Sequence, residues 1–182
     1  MSAALSALRR QQIIEILTAA LQAVNPAEAV RRHVQRTGDR LQVAGRAYDL
    51  SAFRRVFIVG VGKAAAPMAA AAAEIVADRL TGGVIVVKYG HAAPAEGWSV
   101  QVAATPPVRQ SSPSLSLPST IEVIEAGHPV PDAAGLAGAR RLQTLLSGLA
   151  ADDLVLCLIS GGGSALLPAP APGLTLEDKQ AL

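Results

Sequence analysis

A chain of 182 residues with 51% hydrophobic content has the length and the apolar stock for one buried core, and no segment of it reaches membrane-spanning length. Its net charge of +2 and 3% aromatic content do not make a nucleic-acid surface, because Arg9, Arg10, Arg31, Arg32, Arg36 and Arg40 fall on helix-like stretches without interleaved aromatics. The opening residues place Arg9-Arg10 after a short apolar stretch, the reverse of a secretory leader, so the cytoplasm is the expected location.

In chain order, Ile13, Leu17, Leu21 and Val24 recur at helical spacing and predict one apolar stripe on a first helix. Asn25-Pro26-Ala27-Glu28 reads as a restart, with Asn25 as cap, Pro26 at the first helical position and Glu28 closing a capping box before a stop at Gly38. Leu41, Val43, Gly45 and Tyr48 to Leu50 suggest a small hairpin, with Asp49 or Ser51 capping a short turn.

From Arg55 onward short Val/Ile/Leu strands alternate with Ala- or Leu-rich helices, the pattern of a parallel sheet covered on both faces. Strands are expected at Val56–Val59, Val84–Lys88, Ile121–Ala126 and Leu154–Ile159. Helices are expected from about Lys63 to Leu80 and from Ala133 to Leu149, the latter with Leu142, Leu145, Leu146 and Leu149 inward. Cys157, the single cysteine, is expected to be buried mid-strand, without a partner for a disulfide or a metal cluster. Prolines and serines between Ala92 and Thr120 predict a surface excursion in which only Val100–Ala103 is strand-like. Thr175-Leu176-Glu177-Asp178 is a capping box opening a further helix, and its lack of a stop signal predicts a piece of a longer polypeptide. The expected fold class is therefore α/β, an open doubly wound, mostly parallel, Rossmann-like sheet preceded by amino-terminal helices.

Three constellations carry chemistry. Ser160-Gly161-Gly162-Gly163-Ser164 follows an apolar strand and opens a helix, and converging amides, the helix dipole and two hydroxyls there suit a phosphate or carboxylate. Gly60-Val61-Gly62-Lys63-Ala64-Ala65 satisfies the glycine-x-glycine-x-x-alanine form of the dinucleotide fingerprint, yet Lys88 stands where that fingerprint expects an acid on the ribose. Lys63, expected in the first helical turn, opposes the macrodipole unless an anion sits beside it. In Glu125-Ala126-Gly127-His128-Pro129-Val130-Pro131-Asp132 the prolines hold His128 extended past a strand end, where it is placed for proton exchange or hydrogen bonding, and Asp132 is either a ligand contact or a helix cap. His91 and Lys88 stand at the same edge as secondary candidates. Neither a serine nucleophile elbow nor a Walker loop is spelled anywhere.

These pieces, in this order, resemble the amino-terminal domain of the glycerate 2-kinases, in which that domain is joined to a carboxyl-terminal MOFRL domain. The carrying residues are Val59–Ala65 with Met68-Ala69, Tyr89-Gly90-His91, Glu125–Asp132, Asp153–Leu156, Leu158–Leu167 and Gly173–Lys179. The resemblance implies ATP-dependent phosphorylation of D-glycerate at its 2-hydroxyl, giving 2-phosphoglycerate with magnesium, in a cleft between the two domains. Residues 1–182 would then be an incomplete amino-terminal portion lacking the MOFRL domain and supplying one wall of the site, with homodimer formation left open. On this reading Lys63 and His128 are catalytic, and Gly60, Gly62, Ser160, Gly161, Gly162, Gly163, Ser164 and Asp132 bind substrate or phosphate. NADP-linked reduction of hydroxypyruvate, a label some members carry, and a catalytically inactive fragment that only binds anions are the alternatives.

Overall fold

A computed structural model describes residues 3–92 and 116–182, so the strand-like piece expected at Val100–Ala103 lies outside the described residues. Two helices, α1 (Ala3–Ala23) and α2 (Pro26–His33), open the chain. Asn25 caps α2 as expected, its side chain accepting from the amides of Ala27 at 3.0 Å and Glu28 at 3.1 Å. Glu28 does not complete a capping box; it pairs with Arg31 at 2.7 Å instead. The helix also ends before Gly38, because Val34 turns extended and begins an antiparallel meander of β1 (Val34–Thr37), β2 (Arg40–Val43) and β3 (Arg46–Asp49), one strand more than the expected hairpin. Asp49 caps the single 3-10 turn that follows.

The main sheet consists of β4 (Arg55–Val61), β5 (Leu80–Lys88), β6 (Ile121–Ala126) and β7 (Asp153–Ile159), all parallel, in the order β6-β5-β4-β7. Period-two alternation divides the core. Ile85 and Val87 of β5 pack with Val56 and Ile58 beneath α3 (Ala65–Val76) and α2, whereas Val84 and Val86 face α4 (Ala133–Ser147) with Leu142 and Leu166. Each such fully buried aliphatic side chain contributes about 1.5–3 kcal/mol. Alanines at 65, 66, 69, 70, 71, 72 and 73 give α3 a bare surface, so it nests against α2 and the sheet at once. The α/β, doubly wound architecture is the one expected from the alternation of strands and helices.

Chain order reverses at β4. The path from β4 to β6 moves outward on one side, and β7 returns to pair on the other side of β4. That reversal falls between β4 and β7, and the carboxyl edge at such a reversal is the position where open α/β sheets take ligands.

Several local expectations differ from the structure. The helix expected from Lys63 to Leu80 begins at Ala65 and closes at Val76 with a 3-10 turn, because β5 must start at Leu80 to pair with Val56. Cys157 is exposed and so is Leu146, at 44%, since β7 is the sheet's edge among the described residues and both side chains line a shallow apolar groove between β7 and α4. Ile13, Leu17 and Val24 of the α1 stripe are also exposed. Among the described residues no single helix is long and apolar enough to cross a membrane.

Candidate functional site at the carboxyl edge of the sheet

Two loops meet where the sheet reverses. Val61 accepts the Ser160 amide at 2.9 Å, Gly161 accepts the Lys63 amide at 3.2 Å, and the Ser160 hydroxyl oxygen accepts the Ala64 amide at 3.0 Å. Ala64 has no side-chain cap of its own at the start of α3, so Ser160 supplies one from the neighbouring strand end. The loops cross so closely that a Cβ on Gly62, at φ +120°, would lie 2.6 Å from the Ser160 carbonyl oxygen.

These contacts reassign part of the expected site. Gly60 lies inside β4, paired with Ile85 and Leu158, and the Gly62 amide donates to the Val86 carbonyl at 3.1 Å. With the Lys63 and Ala64 amides also engaged, the backbone donors of the glycine-x-glycine turn are taken up within the protein. The triple glycine is the opposite case. Among the described residues the amides of Gly161, Gly162, Gly163 and Ser164 have no acceptor, and Gly162 takes the left-handed φ of +90° that turns successive N–H groups to one side. The helix after them, α5 (Gly163–Leu166), is a single turn, so a macrodipole adds little to these donors.

Lys63 and His128 converge on this loop. A Cβ placed on Gly162 would lie 2.8 Å from both Cδ2 and Nε2 of His128 and 3.3 Å from Cε of Lys63. Lys63 precedes α3 rather than lying in its first turn, it is exposed, and its ammonium forms no ion pair among the described residues. Four amides without an acceptor, a cation without an ion pair and an imidazole thus lie on or beside one loop, a set of donors suited to a multiply charged oxyanion.

Asp132 has protein partners for both of its oxygens. It caps α4 by accepting the Gly135 amide at 2.8 Å, and its other oxygen accepts the Tyr89 hydroxyl at 2.9 Å. Burial would raise its pKa, but the amides of Gly135 and Gly127 and the Tyr89 hydroxyl outweigh burial and hold the carboxyl below its usual range. The same bond pushes the Tyr89 phenol upward. Lys88 ends β5 opposite Ala126, and the His91 amide donates to the Lys88 carbonyl at 2.9 Å; no hydrogen bond joins either side chain to the cluster among the described residues. Ser164 is exposed at the start of α5, while Ser160 keeps its own hydroxyl proton to donate.

Residues 12–182 match the family model described as "Domain of unknown function (DUF4147)". The chain belongs to the DUF4147 family. It is 40% identical over 166 residues to a glycerate kinase of Danio rerio, covering 91% of this chain and 31% of that protein. A protein of Agrobacterium vitis whose name provisionally makes it a hydroxypyruvate reductase is 41% identical over 128 residues, covering 70% of this chain and 27% of its own length. The crystal structure of a glycerate kinase from Thermotoga maritima superimposes with a TM-score of 0.65 at 32% identity, over 94% of this chain and 33% of that one. This DUF4147 chain therefore spans about a third of the length of the relatives it matches.

Two residues of the DUF4147 motifs, Tyr89 and Glu125, were named in the sequence reading without a role. Tyr89 bridges to Asp132, and Glu125 accepts the Gly90 amide at 2.6 Å. The signal available was Gly90 directly after a strand, a left-handed position at φ +77° that marks a tight turn over the next strand's end.

Proposed function

We propose that this chain supplies the phosphate-gripping wall of an ATP-dependent glycerate kinase that yields 2-phosphoglycerate. The observation that carries the reading is the run of four free amides at Gly161–Ser164 beside the unpaired Lys63 ammonium and the His128 ring. Phosphoryl transfer needs positioning and charge stabilisation more than a covalent nucleophile, and this donor set offers both. The amides would hold the oxygens of the transferred phosphoryl group while Lys63 offsets its charge. The 2-hydroxyl oxygen of glycerate bonds to the γ-phosphorus, the bond to the bridging oxygen breaks with departure of ADP, and His128 takes the hydroxyl proton. Magnesium, when bound to the nucleotide, neutralises phosphate charge. The described residues hold no group of three His, Cys, Asp or Glu side chains suited to a metal ion, and Asp132 is committed to its cap.

Isothermal calorimetry of the chain with magnesium-ATP, tripolyphosphate and D-glycerate tests this, together with ADP release from the chain joined to the remaining length of a relative. Saturable binding of the polyphosphates, lost in Gly162→Val, is the expected result. Absence of polyphosphate binding in the unaltered chain would sink the proposal, and binding without turnover in the joined protein would favour the inactive anion-binding alternative.

A second reading, NADP-linked reduction of hydroxypyruvate, draws on the Agrobacterium vitis relative's name and on Lys88 in place of the ribose-binding acid. It is less supported, because the dinucleotide fingerprint works through free amides at the glycine turn and here those amides are engaged. Consumption of NADPH on addition of hydroxypyruvate would reverse that preference.

A further inference from the structure

Resting on the anion-binding reading, we infer that Asp132 and Tyr89 are positioning residues that fix the His128 imidazole against the Gly162 loop. The segment from Gly127 to Asp132 is a six-residue loop closed on itself. The backbone folds so tightly that a Cβ on Gly127 would lie 2.8 Å from the Val130 carbonyl oxygen and 3.0 Å from Asp132 Oδ2. His128 is the second residue of this loop, so the carboxylate sets the direction in which the imidazole leaves the sheet edge.

The closure is tied down from both sides. Toward α4, Asp132 Oδ1 accepts the Gly135 amide at 2.8 Å, which anchors the loop to a helix whose residues Gly138, Ala139 and Leu142 are buried. Toward β5, Asp132 Oδ2 accepts the Tyr89 hydroxyl at 2.9 Å. Tyr89 is itself held, since its amide donates to the Ala126 carbonyl at 3.1 Å and the next amide, Gly90, donates to Glu125 Oε1 at 2.6 Å. The residue after β5 and the start of α4 therefore meet in one carboxylate, which closes the loop that carries His128. An imidazole restrained in this way meets the loop opposite without an ordering cost at the moment a ligand arrives.

Tyr89 is 54% exposed, so Tyr89→Phe removes one hydroxyl bond without opening a cavity. Two-dimensional NMR of the uncomplexed chain reads the geometry directly through the cross-relaxation peak between His128 Hδ2 and the Gly162 Hα protons. A titration with tripolyphosphate reads its consequence. Tyr89→Phe is expected to weaken that peak, shift the His128 ring resonances and lower tripolyphosphate affinity by about three- to tenfold, the loss of one hydrogen bond to a charged group acting through loop order. Asp132→Ala abolishes the peak, while Asp132→Asn, which keeps an acceptor for the Gly135 amide, restores it in part. If the peak and the His128 resonances are unchanged in Tyr89→Phe, the positioning role is overturned, whatever happens to the melting temperature. If the unaltered chain shows the peak but does not bind tripolyphosphate, the anion reading fails and the positioning claim is judged on the peak alone.

Discussion

Replacing Gly162 by alanine presses hardest on the nest. At φ +90° a residue with a Cβ pays about 1–2 kcal/mol in backbone strain, and the new carbon would also lie 2.8 Å from two atoms of the His128 ring. Relief comes by swinging the imidazole out or by rotating the peptide units on either side of residue 162, and the second route misaligns at least two of the four amides. Each amide bond to a charged oxygen is worth about 1.5–3 kcal/mol, so losing two weakens polyphosphate binding by at least about a hundredfold. The loop is at the surface and its amides bond to nothing in the protein, so the folding cost stays near the backbone term, a urea midpoint lowered by about 0.5–1 M. Calorimetry with tripolyphosphate and urea unfolding followed by circular dichroism measure the two quantities separately. An affinity within about threefold of the unaltered chain, alongside the expected loss of stability, would mean that the glycines serve packing and that the anion site lies elsewhere.

Lys63→Ala removes an exposed cation with no ion-pair partner among the described residues, so stability should change by less than about 0.5 kcal/mol while tripolyphosphate affinity falls about tenfold. In a full-length relative with the equivalent lysine, turnover should fall by at least about tenfold, and near-normal kinetics would remove the ammonium from the mechanism. Gly135→Ala would place a Cβ 2.9 Å from both the Leu166 carbonyl oxygen and Pro168 Cδ, so the start of α4 must move off the loop after α5; a loss of about 1–3 kcal/mol in chemical denaturation is expected. Asp153 is held well below the usual carboxylate range, first by the Arg55 guanidinium bonding both its oxygens at 2.8 and 2.5 Å and then by the Ala150 amide. Because the folded pKa is depressed, its stabilisation is full above the unfolded value of about 3.9 and is lost as pH falls below it toward the folded value. Urea midpoints measured from neutral pH downward should therefore decline on the acid side, and Asp153→Asn should flatten that decline; an unaltered slope would mean that the pair does not drive the acid response.

Much of the fold was legible from local sequence because its signals are local. Unbroken Val/Ile/Leu runs become strands, with Val84–Val87 of β5 buried on both faces, Asn25-Pro26 starts a helix through its own side chain, and Thr175 with Asp178 closes the reciprocal capping box it spells. Lys63, His128 and the triple glycine were legible as site candidates because each directly follows a strand end. The meander, the early end of α3 and the exposure of Cys157 were not legible, since each depends on which strand lies next to which. Cys157 sits in a run that reads as interior, but among the described residues the order β6-β5-β4-β7 leaves it on an edge.

The same division applies to the site. Sequence determined that two glycine-bearing turns would stand at the carboxyl edge of one sheet, because glycine permits the backbone angles and the strands before them fix the direction of exit. Only tertiary structure decided which turn keeps its donors. Pairing β7 beside β4 sets the Ser160 hydroxyl and the Gly161 carbonyl against the first turn, which takes up its amides, and leaves those of Gly161 to Ser164 without an acceptor among the described residues. A backbone N–H is chemically the same in both turns, and its availability is settled by the acceptor that a distant strand brings to it.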